Sequence, residues 1–145
     1  MIALIQRVTD ARVAVDDRVV GAIGRGMLAL IGVERDDQEG NVRRMVERLL
    51  GYRIFADDEG RMNRSLRDVA GGLLLVPQFT LAADTRKGTR PGFSTAAEPA
   101  RAEALFATLA TLAGAAHSPV ACGRFGAEMF VTLTNHGPVT FRLEA

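Results

Sequence analysis

The sequence predicts one α/β domain in which two helices cover a mixed β-sheet. The chain has 145 residues, of which 48% are hydrophobic. Many short segments are rich in Val, Ile and Leu, whereas only two have the three- and four-residue spacing of an amphipathic helix. A chain of this length buries enough surface to fold without disulfides or metals. We therefore expect a single domain that spans residues 1–145.

Strand-like segments dominate the first third of the chain. They are short and rich in β-branched residues: Ile2–Val8, Ala11–Val15, Arg18–Ile23 and Met27–Val33. Asp16 and Asp17 between the second and third segments predict a tight turn. The fourth segment is apolar at nearly every position, which is typical of a strand buried on both faces.

Helical spacing appears twice. The first helix is expected to begin at an N-cap, Asp36 or Asp37, and to end at Gly51, and the second to run from near Pro99 to Gly114. Further strands are predicted at Tyr52–Phe55, Leu73–Val76, Val120–Cys122, Ala127–Thr134 and Val139–Leu143. Two helices are too few to shield both faces of such a sheet, so we expect a homodimer with sheet packed against sheet.

Composition excludes several function classes. Eighteen Lys and Arg residues against 17 Asp and Glu leave a net charge of +1, too little for a protein that coats nucleic acid. One cysteine and two distant histidines predict neither a disulfide nor a metal site. The familiar phosphate-binding glycine motifs are absent, and no cofactor is expected. No apolar run reaches the roughly 18 residues of a membrane span, which favours a cytoplasmic protein without a membrane partner.

Polar residues follow the strand Leu73–Val76 abruptly. Pro77 cannot donate to a sheet ladder, and Gln78, Phe79 and Thr80 come next. Their backbone N–H groups are predicted to be free of ladder partners, and free amides near a strand end bind oxyanions. An ordinary strand terminus is the alternative.

Two other segments are candidate binding elements. Asn135–Thr140 contains Gly137-Pro138; its composition predicts a hairpin turn, with the trans peptide as the default. Arg86, Lys87 and Arg90 form a basic loop soon after Thr80, suited to phosphate groups, although a solvated loop is an equal alternative.

The chain resembles the D-aminoacyl-tRNA deacylases of the bacterial and eukaryotic type. Two separated motifs carry the resemblance: Pro77–Leu81 matches S-Q-F-T-L, and Asn135–Pro138 matches N-x-G-P. The likeness covers nearly the whole chain, on Met1–Val8, Leu50–Phe55, Met62-Asn63, Gln78–Thr85, Arg90-Pro91 with Phe93, and Asn135–Thr140. The chain departs from the pattern at Pro77, where serine is usual, and at His136, where aspartate is common.

The resemblance implies a homodimeric hydrolase that binds the 3′ acceptor end of tRNA and cleaves its ester to a D-amino acid or, on mischarged tRNA-Ala, to glycine. Gln78, Phe79 and Thr80 are then the catalytic segment, and Arg86, Lys87 and Arg90 contact RNA. Asn135, Gly137 and Pro138 are the substrate-binding residues, with a cis Gly-Pro bond that enters the partner's pocket and rejects L-substrates. The alternatives are a non-catalytic dimeric RNA-binding module and a general small-ester hydrolase.

Overall fold

A six-stranded sheet forms the centre of the fold in the computed structural model of the chain, which describes residues 1–145. Its strands are β1 (Ile2–Val15), β2 (Arg18–Ile23), β3 (Gly26–Gly32), β6 (Gly72–Pro77), β7 (Val120–Cys122) and β8 (Phe130–Glu144). β1 is antiparallel to β2, β3 and β8, whereas β3, β6 and β7 are mutually parallel. The predicted mixed sheet is therefore confirmed.

Helices α1 (Glu39–Gly51) and α3 (Pro99–Ala116) are the two predicted helices. Their apolar stripes pack on one face of the sheet and make the larger core, which includes Met45, Leu49 and Leu109. Burial of these apolar side chains orients both helices with their apolar faces toward the sheet. The second core lies on the opposite face of the sheet and is smaller. Its partly exposed margin includes Leu30, Val131 and Leu133.

The ends of the two long helices differ from the prediction. The N-cap of α1 is Gln38 rather than Asp36 or Asp37, and Gly51 is its last residue, as predicted. α3 begins at Pro99 as expected but continues past Gly114 to Ala116. An exposed glycine weakens a helix without ending it when the preceding turns are anchored in the core.

The polar stretch between the helices contains regular structure that we did not predict. β4 (Phe55–Ala56) and β5 (Met62–Arg64) form a hairpin in place of the expected strand Tyr52–Phe55. A short helix, α2 (Leu66–Val69), follows. It begins with a capping box in which Ser65 donates to Asp68 through its backbone N–H and its hydroxyl. These bonds lower the pKa of the Asp68 carboxyl.

Strands that the sequence divides are continuous in the structure. β1 runs through the position where two strands were predicted, and β8 replaces both Ala127–Thr134 and Val139–Leu143. The predicted hairpin turn at Asn135–Thr140 is wrong, because both ends of this segment pair with the same strand, β1. Pairing passes from Val8 with Asn135 to Gln6 with Thr140. The four residues 136–139 therefore form a bulge opposite a single residue, Arg7, with Val139 buried in the larger core.

Asp37 has a different role from the predicted cap. Its side chain is only 4% exposed and accepts a 2.5 Å hydrogen bond from the α-amino group of Met1 and a 2.7 Å bond from the backbone N–H of Glu34. The Met1 amino group also contacts Glu34 Oε2 at 2.9 Å. This buried ion pair joins β1 to the segment before α1.

Replacing Asp37 by alanine is expected to lower the free energy of unfolding by about 3 kcal/mol, because the buried α-ammonium group loses its main counter-charge. Urea denaturation at pH 7 measures the change. Asp36→Ala is the matched control: this exposed neighbour accepts no hydrogen bond, and its loss should change stability by less than about 0.5 kcal/mol. Equal effects of the two substitutions would contradict the assignment.

None of the helices is long and apolar enough to cross a membrane.

Candidate active site

A 3₁₀ turn, Phe79–Ala82, follows directly after β6. The N–H groups of Phe79 and Thr80 lie in its first two positions, where the turn offers no acceptor, and they donate to no other group in the chain. The amide of Gln78 differs from its prediction: it donates to Ile31 O at 2.7 Å and so completes the ladder to β3. Two free amides, rather than three, therefore remain at the end of β6.

Packing holds the 3₁₀ turn in place. Gly32 at the end of β3 permits close approach, since a Cβ there would lie 2.9 Å from Leu81 Cβ. The Thr95 hydroxyl donates to Ala82 O at the last residue of the turn. The positions of the two free amides are thus set by contacts to β3 and to the segment before α3.

Thr80 has no protein base beside it. Gln78 Nε2 donates to Thr80 Oγ1 at 2.5 Å, which leaves the Thr80 hydroxyl proton free to donate to a ligand. No carboxylate or imidazole contacts this hydroxyl. Both Thr80 and the Phe79 ring are exposed. A threonine without an adjacent base is a weak nucleophile, so the side chain is suited to positioning.

An apolar cleft of about 460 Å³ opens beside Phe79, at the start of the 3₁₀ turn. Pro77, Gln78 and Phe79 form one side of it, and the other side comes from the segments before β8 and around the start of α3. Its apolar residues include Phe125, Met129, Val131, Ala97, Pro99 and Ala102. No sequence motif predicted this cleft, although the alternation of Met129 and Val131 on one face of the predicted strand Ala127–Thr134 was a signal for part of it.

The segment Asn135–Pro138 is an exposed, pinned loop. Its Gly137-Pro138 peptide bond is cis, as the resemblance implies, and the trans default that composition gives is wrong. Asn135 Nδ2 donates to Arg7 O at 3.0 Å and to Val139 O at 3.1 Å, and Arg7 Nε donates to His136 O at 3.0 Å. A Cβ at Gly137 would lie 2.5 Å from Asn135 Oδ1, so any larger residue would require the Asn135 side chain to move. Backbone atoms are therefore presented in a fixed geometry.

The structure does not bring the two motifs together within one chain. Asn135 on β8 pairs with Val8 on β1, and Val8 pairs with Gly26 on β3. Gly26 in turn pairs with Gly72, so Asn135 lies at the level of the start of β6. The free amides follow Pro77 at the opposite end of that strand. Five residues of strand separate the two levels, about 17 Å along the sheet. Within one chain the two motifs therefore lie at opposite ends of the sheet.

The basic loop is closed at its base by two backbone hydrogen bonds between Asp84 and Gly92, of 2.7 and 3.0 Å. Arg86 donates to Asp84 through Nε at 2.9 Å and Nη2 at 2.7 Å. Lys87 and Arg90 make no ion pair and line a polar cleft of about 440 Å³ with Gly92 and Ser94. Of the three predicted RNA-binding residues, two therefore present an uncompensated charge.

Asp84 stabilises this loop while it is ionised. The side chain and the backbone N–H of Arg86 hold the pKa of the Asp84 carboxyl well below its usual range. Such a carboxyl contributes stability above its unfolded pKa, near ~4, and the contribution is lost as pH falls through the folded pKa.

We expect the free energy of unfolding to fall as the pH is lowered from about 5, and Asp84→Asn to make this decrease shallower. Urea denaturation at pH 7, 5, 4 and 3 measures both slopes. Asp36→Asn is the control, and a slope for Asp84→Asn identical to that of the unmodified chain would refute the role of Asp84.

Comparisons with known proteins agree with this architecture. The family model for D-Tyr-tRNA(Tyr) deacylase matches residues 4–144. A D-aminoacyl-tRNA deacylase of Alkalilimnicola ehrlichii is 66% identical over 145 residues, which cover all of this chain and 97% of that protein. The chain belongs to the D-Tyr-tRNA(Tyr) deacylase family. A D-aminoacyl-tRNA deacylase of Stutzerimonas stutzeri is 59% identical over 145 residues, and the match covers both chains completely. The resemblance predicted from the two motifs is confirmed, and the family is one of enzymes.

Two solved structures share the fold of this deacylase-family chain. One, described as a c-Myc DNA Unwinding Element Binding Protein, superposes with a TM-score of 0.95 at 36% identity and covers 100% of this chain and 99% of its own. The other, described as a probable eukaryotic D-amino acid tRNA deacylase, has a TM-score of 0.87 at 20% identity, with 99% and 98% coverage. The second likeness shows the fold alone.

Pro77 is the main departure of this deacylase-family chain from the motif. In β6 the N–H groups of alternate residues point toward β7: Leu73 donates to Pro119 O, and Leu75 O accepts from Gly123. Pro77 would be next in this series but has no N–H, and so the ladder to β7 ends before it. Its ring lines the cleft instead, with Cδ close to Gly123.

Proposed function

We propose that this chain hydrolyses the ester bond of D-aminoacyl-tRNA. One observation carries the proposal: the adjacent N–H groups of Phe79 and Thr80 have no acceptor in the chain, and Phe79 lines an apolar cleft, in a member of the D-Tyr-tRNA(Tyr) deacylase family. Two adjacent amide donors are suited to the negative oxygen that forms during ester hydrolysis. The names of the relatives, D-aminoacyl-tRNA deacylases, supply the substrate class.

The amides act on the carbonyl oxygen of the ester. Water adds to the carbonyl carbon, and the oxyanion of the tetrahedral intermediate accepts hydrogen bonds from Phe79 N–H and Thr80 N–H. The bond to the ribose oxygen of the terminal adenosine then breaks, and that oxygen takes up the proton lost by water. The products are a free D-amino acid and tRNA. Because no carboxylate or imidazole contacts Thr80, the 2′-OH of the substrate's ribose is the group that helps to activate water, with the Thr80 hydroxyl as a secondary contributor.

Handedness is sensed by backbone atoms of Gly137 and Pro138. An enzyme that acts on many D-amino acids must recognise the features that they share, such as the configuration at Cα. A stiff peptide close to Cα leaves room only for hydrogen at the position where an L-residue carries its side chain. The hydrogen bonds of Asn135 and Arg7 supply the stiffness. Glycine has no side chain on that face, and glycyl-tRNA mischarged on tRNA-Ala therefore escapes the screen.

The pocket is shared between two chains. The distance of about 17 Å between the motifs along one sheet, the exposed Gly137-Pro138 loop, and the half-exposed Leu30, Val131 and Leu133 on the second sheet face all support a homodimer with sheet packed against sheet. Lys87 and Arg90 bind phosphates of the acceptor end, while Arg86 holds the loop through Asp84. Because the proposed substrate is charged tRNA, we expect the activity in the cytoplasm.

The direct test compares three substrates: D-tyrosyl-tRNA, L-tyrosyl-tRNA and a free ester of D-tyrosine. We expect rapid loss of D-tyrosyl-tRNA alone, measured by release of the amino acid. A non-catalytic dimeric RNA-binding module would leave all three intact, and a general small-ester hydrolase would also cleave the free ester. Either outcome would overturn the proposal.

Thr80→Ala tests how much the Thr80 hydroxyl contributes to the activation of water, compared with the 2′-OH of the substrate. The loss in kcat is expected to be about 10- to 100-fold, since only a positioning contact and the Gln78 hydrogen bond disappear. Thr80→Ser should restore most of the rate, and a tRNA that ends in 2′-deoxyadenosine should lose more rate than Thr80→Ala does. A loss beyond about 10⁴ for Thr80→Ala would instead make Thr80 the catalyst.

A further inference from the structure

The Phe79 ring has no role in the hydrolysis described above, which uses only its amide. The ring is 58% exposed and lies against Phe93, which is 42% exposed. Their centroids are 5.1 Å apart, with the ring planes inclined at 46°. Two phenylalanines are thus held together in contact with water, at the end of β6 where the active site begins. An exposed aromatic pair is a surface that a planar ligand can cover.

The segment Gly92–Ser94 joins this aromatic pair to a positive charge. Gly92 and Ser94 line the polar cleft that contains Lys87 and Arg90, and Phe93 between them contributes its ring to the pair. Lys87 and Arg90 have no acidic partner, whereas Arg86 is neutralised by Asp84. Phe93 does not line that cleft itself, but its two neighbours in the chain do, so the segment Gly92–Ser94 links the aromatic pair to the two free cations.

Single-stranded RNA is the ligand whose chemistry matches both features. Every base has a π face that stacks on an aromatic ring regardless of its identity, and each phosphate carries a negative charge.

We infer that the Phe79–Phe93 pair, with Lys87 and Arg90, is a stacking platform for the unpaired nucleotides that precede the terminal adenosine of the substrate. This inference rests on the proposed function and deepens it. Stacking holds the strand without reading its sequence, as an enzyme that serves many tRNAs requires.

The probe is a short single-stranded RNA with the sequence ACCA, an unacylated 3′ end and a 5′ fluorophore, and its binding is followed by fluorescence anisotropy. Phe93 is the residue to change, because it takes no part in catalysis. Phe93→Leu is expected to raise Kd about tenfold, and Phe93→Tyr, which keeps the aromatic face, to change it less than about twofold. Phe130→Leu is the matched control, since Phe130 is 64% exposed on β8, and it should leave Kd unchanged.

Varying the salt concentration tests the contribution of the two cations, and varying the RNA sequence tests the contribution of the aromatic pair. Replacing both Lys87 and Arg90 by alanine should reduce the slope of log K against log salt by about 1.4, or about 0.7 for each phosphate that is no longer neutralised. Exchanging the two cytidines for uridines should change Kd less than about twofold.

Unchanged binding by Phe93→Leu, or equal binding of a blunt RNA duplex, would overturn the inference. The RNA probe carries no amino acid, so this result is independent of ester hydrolysis. A chain that deacylates D-tyrosyl-tRNA but whose Phe93→Leu variant binds RNA normally would lose only the platform, whereas a chain that cleaves no ester would lose the proposed function.

Discussion

Replacing Phe79 by proline is expected to lower kcat for D-tyrosyl-tRNA by about 100- to 1000-fold relative to Phe79→Ala, because only proline removes the amide donor to the oxyanion. Both substitutions remove the phenyl ring, so the ratio of their kcat values reports the contribution of the N–H group alone. The backbone tolerates proline here: Phe79 is the first residue of the 3₁₀ turn, and Gln78 before it is non-helical, with φ −143° and ψ 76°.

Single-turnover deacylation measures this effect apart from substrate binding. We expect the loss to appear in kcat with KM little changed, since the amide stabilises the transition state more than the ground state. Circular dichroism and the melting temperature check that the proline variant folds. If the proline and alanine variants were equally active, the oxyanion would be stabilised elsewhere.

The second large effect is expected from Gly137→Ala. A Cβ at this position would lie 2.5 Å from Asn135 Oδ1, so the Asn135 side chain must leave Arg7 O and Val139 O. Losing these two hydrogen bonds should cost about 1 to 2 kcal/mol of stability. The displaced backbone should slow deacylation of D-tyrosyl-tRNA by about 100-fold, as expected for a positioning group moved by about 1 Å.

Gly24→Ala is the matched control, because a Cβ there meets no atom within 4 Å. It should retain activity and stability. Deacylation of both D- and L-tyrosyl-tRNA is measured for each variant, with urea denaturation alongside. A Gly137→Ala chain with undiminished D-activity and intact rejection of the L-substrate would remove this loop from the pocket.

Mixing the two inactive variants tests whether each pocket is shared. A heterodimer of Phe79→Pro and Gly137→Ala chains has one pocket with the intact Phe79 amide of one chain and the intact Gly137 of the other. Co-refolding the two chains should therefore restore part of the activity that neither homodimer has. No recovery in a mixture shown to contain heterodimers would place both motifs of a functional pocket on one chain.

The elements that the sequence predicts correctly depend on nearby residues. The apolar stripe of α1 and its stop at Gly51 follow from spacing within one helix, and the end of the β6 ladder follows from the missing N–H of Pro77. The free amides of Phe79 and Thr80 follow from the same local interruption. The prediction of a free Gln78 amide was wrong because its acceptor, Ile31 O, lies on another strand.

Long-range pairing explains the other differences. The residues Asn135–Pro138 read as a turn, yet they bulge from one strand because both of their flanks pair with β1, more than 120 residues away. Asp37 reads as a helix cap, but its position beside the Met1 amino group makes it half of a buried ion pair.

The sequence by itself determined the α/β class, the two long helices, the family and the two motifs, because helical periodicity, strand composition and backbone donors are properties of adjacent residues. Only the tertiary structure decided the position of the apolar cleft, the pinned loop and the separation of the two motifs along one chain. That separation is about 17 Å, which corresponds to about five residues of a strand. These depend on strand register, which is set by packing between segments that are distant in sequence.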